Sequence, residues 1–142
     1  MTTLLEIITP TKLILREEVE EVIVPTLDGE IAILPNHIKL LTMITNGELI
    51  VKKNSKSTSY AITGGFLEVE NNIVKILADY AIRADDIELA KVQEAHERAK
   101  KLMEERRGKE NFAFAESELK RSLLELKLAK KYKPKLSNKF TS

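Results

Sequence analysis

Arg83-Ala84-Asp85-Asp86-Ile87-Glu88 divides the chain into two kinds of sequence. Before it, apolar segments are short, β-branched and alternating. After it come two long, charged stretches whose apolar residues recur at helical spacing. The break predicts an α+β chain: an all-β module, sandwich or barrel, over residues 1–84, a helical hairpin over 85–132, and a disordered tail over 133–142.

Charge divides at the same place. Residues 1–84 hold 8 basic residues against 11 acidic ones, whereas residues 85–142 hold 15 against 11. From Lys120 onward, eight basic residues face the single acid Glu125. A basic end on a chain of formal net charge +1 points to a local acidic partner.

In the first half the apolar segments are Leu4 to Ile8, Leu13 to Leu15, Val22 to Val24, Ile31 to Leu34, Leu49 to Val51, Tyr60 to Ile62, Phe66 to Val69 and Ile73 to Ala78. Turn formers separate them, among them Asp28-Gly29, Asn46-Gly47, Asn54-Ser55, Gly64-Gly65 and Asn71-Asn72, at the spacing of a sandwich or barrel. Asn71-Asn72 is the clearest hairpin signal, because asparagine tolerates the positive φ of a two-residue turn. Gly64-Gly65 reads as a bulge or tight corner rather than a ligand loop, since neither a Lys-Ser/Thr pair nor a helix follows it.

In the second half Asp85 is expected to cap a helix, with Glu88 as its reciprocal partner and Asp86 favoured by the macrodipole. Ile87, Val92, Ala95, Ala99, Leu102 and Met103 form its apolar stripe, and Arg106, Arg107 and Gly108 supply a basic last turn and a stop. Asn111 is expected to cap the next helix, whose stripe is Ala115, Leu119, Leu123, Leu126 and Ala129, with Pro134 barring further helix. The short link makes the helices antiparallel. Their alanine-rich contacts bury little area, which predicts reversible packing.

Several chemistries are excluded or disfavoured. The chain has no cysteine, and His37 and His96 do not show metal-ligand spacing, so no metal site is expected. No nucleophile elbow or kinase signature is present, and the paired acids Glu17-Glu18 and Glu20-Glu21 read as a solvated face. Nucleic acid is disfavoured, because Tyr132 and Phe140 are the only aromatics among the basic residues. No apolar run approaches the ~20 residues that span a bilayer, and the Met1 to Glu6 start is unlike a signal peptide.

Three collinear stretches resemble the epsilon subunit of the F-type ATP synthase. They are Pro25 to Thr42 with Gly47-Glu48-Leu49, then Gly64 to Val69 running to Ile76-Leu77-Ala78-Asp79, and then Ala81-Ile82-Arg83 leading into the helix. The resemblance implies a ten-stranded β-sandwich followed by an antiparallel helical hairpin. It also implies a non-catalytic central-stalk subunit of a proton- or sodium-translocating synthase, joining the gamma subunit to the c ring. Glu30, Pro35 and His37 would then lie on the side of the c ring and gamma.

In many bacterial members of that family the hairpin moves between a compact state and an extended state that blocks ATP hydrolysis. The resemblance therefore implies that Lys120, Arg121, Lys127, Lys130 and Lys131, with Lys133 and Lys135 beyond, meet an acidic segment of the catalytic beta subunit. Some members bind ATP through an Ile/Leu-Asp-x-x-Arg-Ala motif. Here the matching stretch is Ile87-Glu88-Leu89-Ala90-Lys91-Val92, in which the forked guanidinium is lost. Glu88, Lys91, Arg98 and Arg121 are the residues an ATP site would use, but Glu125, one turn beyond Arg121, adds a charge of the same sign as the nucleotide's. ATP binding is therefore disfavoured, and no cofactor is expected to be required.

The expected location is peripheral, on the cytoplasmic face of a bacterial membrane, with the stromal face of a plastid thylakoid as the alternative. Membrane contact is expected only through the complex. The competing functional readings are an ATP sensor whose hairpin closes on nucleotide, and a generic adaptor joining a partner coiled coil. The adaptor would need sustained heptads, which the short stripes lack.

Overall fold

The computed structural model describes residues 1–105 and 112–132. The expected stop at Gly108, the cap at Asn111, and Lys133, Lys135 and the tail lie outside the described residues. The chain resolves into two compact units, Met1–Arg83 and Ala84–Ser142.

The first unit is built from ten strands: β1 (Thr3–Ile8), β2 (Leu13–Val19), β3 (Glu21–Thr26), β4 (Gly29–Ile33), β5 (Leu40–Met43), β6 (Gly47–Lys53), β7 (Lys56–Thr63), β8 (Phe66–Glu70), β9 (Ile73–Leu77) and β10 (Tyr80–Arg83). They form two five-stranded sheets, in the orders β2-β1-β9-β8-β5 and β10-β7-β6-β3-β4. Neighbours are antiparallel except β1 and β9, which run parallel with Leu4 opposite Ile73.

Alternation decides which side of each strand enters the core. Along β1, Thr3, Leu5 and Ile7 are buried while their neighbours are less so. Leu5, Ile7, Leu67, Val69, Val74 and Ile76 from the first sheet join Val22, Val24, Ile33, Leu49 and Ile62 from the second in one core cluster. Each fully buried side chain of this size stabilises the unit by roughly 1.5–3 kcal/mol.

The turns follow the sequence signals. Asn54 and Ser55 between β6 and β7, and Asn71 and Asn72 between β8 and β9, all have φ between 51° and 64°. Two successive left-handed residues match the right-handed twist of the flanking strands. Gly65 has φ 111°, and a Cβ there would lie 1.8 Å from the carbonyl oxygen of Leu77, so only glycine fits that corner.

The second unit begins with a 3₁₀ turn (Ala84–Asp86), followed by α1 (Leu89–Glu105) and α2 (Phe112–Tyr132). The first helix therefore starts later than Asp85. The Ile87 N–H donates to the Ala84 carbonyl, which closes the tight turn and accompanies full burial of Ile87. The α-helical pattern opens with the Val92 N–H donating to the Glu88 carbonyl. Asp85 and Asp86 thus sit in the tight turn, and Glu88 occupies the position before the first α-helical residue.

The buried face of α2 also differs from the expected stripe. Ala115, Leu126 and Ala129 are buried, but Leu123 is 42% exposed, and Ser122, Glu125 and Leu128 are buried instead. Polar Ser122 enters the interior because both its donor and acceptor capacities are used, as described below.

Candidate functional site

The register of the first sheet aligns one apolar residue from every strand. Leu13 pairs with Ile8, Ile8 with Leu77, Leu77 with Phe66, and Phe66 with Met43. Their neighbours Ile7, Ile76 and Leu67 are buried, so this row stands on the opposite, outward face. Leu13, Met43, Phe66 and Leu77 are 41–52% exposed.

The next row on that face is charged on β2, β1, β9 and β8 and ends at the exposed Leu41 on β5. Arg16 lies opposite Glu6, Glu6 opposite Lys75, and Lys75 opposite Glu68. Alternating signs stabilise such a row internally, and Arg16 Nε stands 3.8 Å from Glu6 Oε2. An apolar strip bordered by self-neutralising charges is suited to a protein surface.

Glu30 is exposed on β4, opposite Pro25 and directly after Gly29, whose φ is 107°. The β3–β4 turn is fixed by Thr26, which is buried. Its hydroxyl donates to the Gly29 carbonyl at 2.6 Å and accepts from the Asp28 N–H at 3.2 Å.

Pro35 and His37 occupy the loop between β4 and β5, where Asn36 has φ 64°. The His37 N–H donates to the Leu34 carbonyl, and its Nδ1–H donates to the Ile38 carbonyl at 2.7 Å. A carbonyl can only accept, so Nδ1 carries a proton in this contact. Leu34 and Ile38, exposed on either side, give this loop an apolar tip.

In the helical unit, Glu88 Oε2 pairs with Lys91 Nζ at 3.1 Å. Arg121 pairs with Glu118 at 3.2 Å and with the buried Glu125 at 3.7 Å. Two residues of the degraded nucleotide motif are therefore paired with each other, and the Arg121 guanidinium is held by carboxylates of its own helix. Arg98 is exposed on α1 in a shallow depression with Glu97, Lys101 and Glu104.

Lys120, Lys127 and Lys131 are exposed and share one stripe of α2, since steps of seven and four residues return to the same face. Lys130 is exposed beside it. Lys120 also pairs with Glu116 at 3.1 Å, and the Lys131 ammonium lies 5.1 Å from the Tyr132 ring centre.

Ser122 links the two helices. Its hydroxyl donates to the Leu119 carbonyl at 2.9 Å, so the 3.2 Å contact with His96 Nδ1 has the imidazole N–H as donor.

Residues 2–84 match the ATP synthase Delta/Epsilon chain beta-sandwich domain. The ATP synthase epsilon chain of Herpetosiphon aurantiacus is 44% identical over 126 residues, covering 89% of this chain and 93% of that one. The chain belongs to the ATP synthase epsilon chain family. The epsilon chain of Caldanaerobacter subterraneus is 40% identical over 129 residues, covering 90% of this chain and 94% of its own. Among solved structures, a chain of the Euglena gracilis mitochondrial ATP synthase, determined with OSCP, F1 and the c ring, superposes with a TM-score of 0.68 at 25% identity, covering 84% of this chain and 76% of that chain.

For an epsilon chain, the residue types that sequence reasoning missed are the five of the apolar row. Each lies in a strand whose other face supplies the core, so both faces are apolar at that level and alternation is locally lost. The signal was present in Ile7-Ile8, Ile76-Leu77 and Phe66-Leu67, where adjacent apolar residues point in opposite directions. Among the described residues no cluster of His, Cys, Asp and Glu could hold a metal ion, and no helix is long and apolar enough to cross a membrane.

Proposed function

We propose that this epsilon-family chain is a non-catalytic rotor subunit of an ion-translocating ATP synthase, on the cytoplasmic face of a bacterial membrane. Its sandwich joins the gamma subunit to the c ring, and its helical unit is a regulatory arm that meets an acidic segment of beta. The observation that carries the reading is the row Leu13–Ile8–Leu77–Phe66–Met43. Apolar side chains aligned across a whole sheet on its outward face call for a protein partner, because each would otherwise remain in water.

Glu30 stands at the start of β4, and Pro35 and His37 follow its far end beside the exposed Leu34 and Ile38; in this reading both loops face the c ring and gamma side. The stripe of Lys120, Lys127 and Lys131 suits the acidic beta segment. The ATP-sensor reading is weaker, because the Glu88–Lys91 pair and the carboxylates around Arg121 already engage the charges a nucleotide would need.

Site-directed crosslinking in the assembled complex tests the sandwich assignment. A cysteine replacing Phe66 is expected to link to gamma, and one replacing Glu30 to a c subunit. Absence of both products in a complex that still contains the chain would sink the proposal.

A further inference from the structure

The mouth of the sandwich between β2 and the β6–β7–β10 strands holds a feature outside the surfaces proposed above for rotor assembly. Lys53 and Lys56 stand directly opposite each other at the β6–β7 turn. Like charges in that position repel, which disfavours the hairpin. Both strands are internal to their sheet, so guarding a sheet edge does not account for the pair.

Both lysines also stand on the inward side of the sheet. Val51, two residues before Lys53, is buried, as is Tyr60, four residues after Lys56. Thr58 lies between Lys56 and Tyr60 on that face, and Arg83 pairs with Tyr60 on β10. These side chains line a groove of about 380 Å³, closed on the β2 side by Glu17.

The charge of the groove opposes that of its unit. Three of the eight basic residues in residues 1–84 line this one concavity, in a segment with 11 acidic residues. Among the described residues Glu17 is the only acid in the lining, and it pairs with Lys53 at 2.6 Å. Glu20, outside the lining, accepts the N–H of the lining residue Asn54 at 2.6 Å.

The geometry points to a binding site for a soluble phosphate monoester. The phosphate meets Lys53, Lys56 and the Arg83 guanidinium, with the Thr58 hydroxyl as a further donor, and its charge relieves the repulsion between the two lysines. The groove is larger than a phosphate alone, and Val51 and Tyr60 supply a surface for the organic group. This site is independent of the gamma and c-ring reading, because every residue in it lies within the sandwich and none belongs to the apolar row or the Glu30 and His37 loops.

Titration of the full-length, ¹⁵N-labelled chain with phenyl phosphate, against sodium chloride at matched ionic strength and pH, tests the site. Saturable shifts are expected at the amides of Lys53, Lys56 and Thr58. Lys56→Gln, which also removes the like-charge opposition and so is expected to fold, should weaken binding about tenfold. Thr58→Val should weaken it less, and Lys39→Gln, in the β4–β5 loop, should not change it. The proposal is overturned if chloride reproduces the shifts, if they spread equally to Lys39 and Lys75, or if Lys56→Gln binds as tightly as the wild type.

Discussion

The side-chain oxygen of Asn72 accepts a hydrogen bond from the backbone N–H of Asn36 at 2.8 Å. One asparagine therefore ties the loop carrying Pro35 and His37 to the β8–β9 turn. The same side chain donates to the Thr2 carbonyl at 2.9 Å, while its backbone carbonyl accepts from the Leu4 N–H and the Thr3 hydroxyl. Asn72→Gly preserves the positive φ but removes the carboxamide. The expected loss is about 0.5–1.5 kcal/mol in urea unfolding. Hydrogen exchange should accelerate at Asn36, while Leu4, bonded to the backbone, keeps its protection; equal acceleration at both would contradict the assigned role.

The two corner glycines should differ sharply. At Gly65 an added Cβ meets the Leu77 carbonyl at 1.8 Å, whereas at Gly64 it meets the movable Asp79 carboxylate at 2.6 Å. Gly65→Ala is expected to cost more than about 3 kcal/mol, and Gly64→Ala roughly 1–2 kcal/mol because its φ of 55° is the left-handed region. Thermal melting of the two variants checks the order.

Polar substitutions in the outward row should separate stability from assembly. Phe66→Ser and Met43→Ser are about half exposed sites, so together they should change the unfolding free energy of the free chain by less than about 1 kcal/mol. The same double variant is expected to lose copurification with gamma. Retention at wild-type stoichiometry would count against the row as the docking face.

The His96–Ser122 hydrogen bond is expected to couple the two helices. A double-mutant cycle of His96→Ala and Ser122→Ala, read by hydrogen exchange of α1 amides in the full chain, should give about 0.5–1.5 kcal/mol of interaction. Additive effects would mean that the 3.2 Å contact contributes nothing.

For the proposed brake, Lys120→Glu, Lys127→Glu and Lys131→Glu together are expected to raise ATP hydrolysis by the assembled enzyme, while each alone has a small effect, because a single exposed ion pair is worth ~0–1 kcal/mol. Hydrolysis unchanged both in the triple variant and on removal of residues 111–142 would refute a restraining arm.

Periodicity located eight of the strands, and the two it did not reach are β5 and β10, each four residues long. Both lie at a sheet edge, where so short a segment shows too few alternations to stand out. The helical pattern identified α1 but placed its start at Asp85, because a capping signature does not reveal that a buried Ile87 closes a 3₁₀ turn first. On α2, counting apolar residues chose Leu123 for the interior. The bond between His96 and Ser122 is invisible to such counting, since it depends on a residue 26 positions away. Glu30 and His37 are candidates through resemblance alone, whereas Thr26 and Asn72, which hold their loops, emerge from the hydrogen bonds.

The parallel pairing of β1 with β9 orders events during synthesis. Thr3 bonds to the carbonyl of Asn72, a partner 69 residues later in the chain. A nascent chain leaving the ribosome can close the β1–β2 hairpin early, but its first sheet gains a centre only when Ile73–Leu77 emerges. Chains stalled before that point should remain open to protease, so the sandwich matures as a unit near the end of its own translation rather than strand by strand.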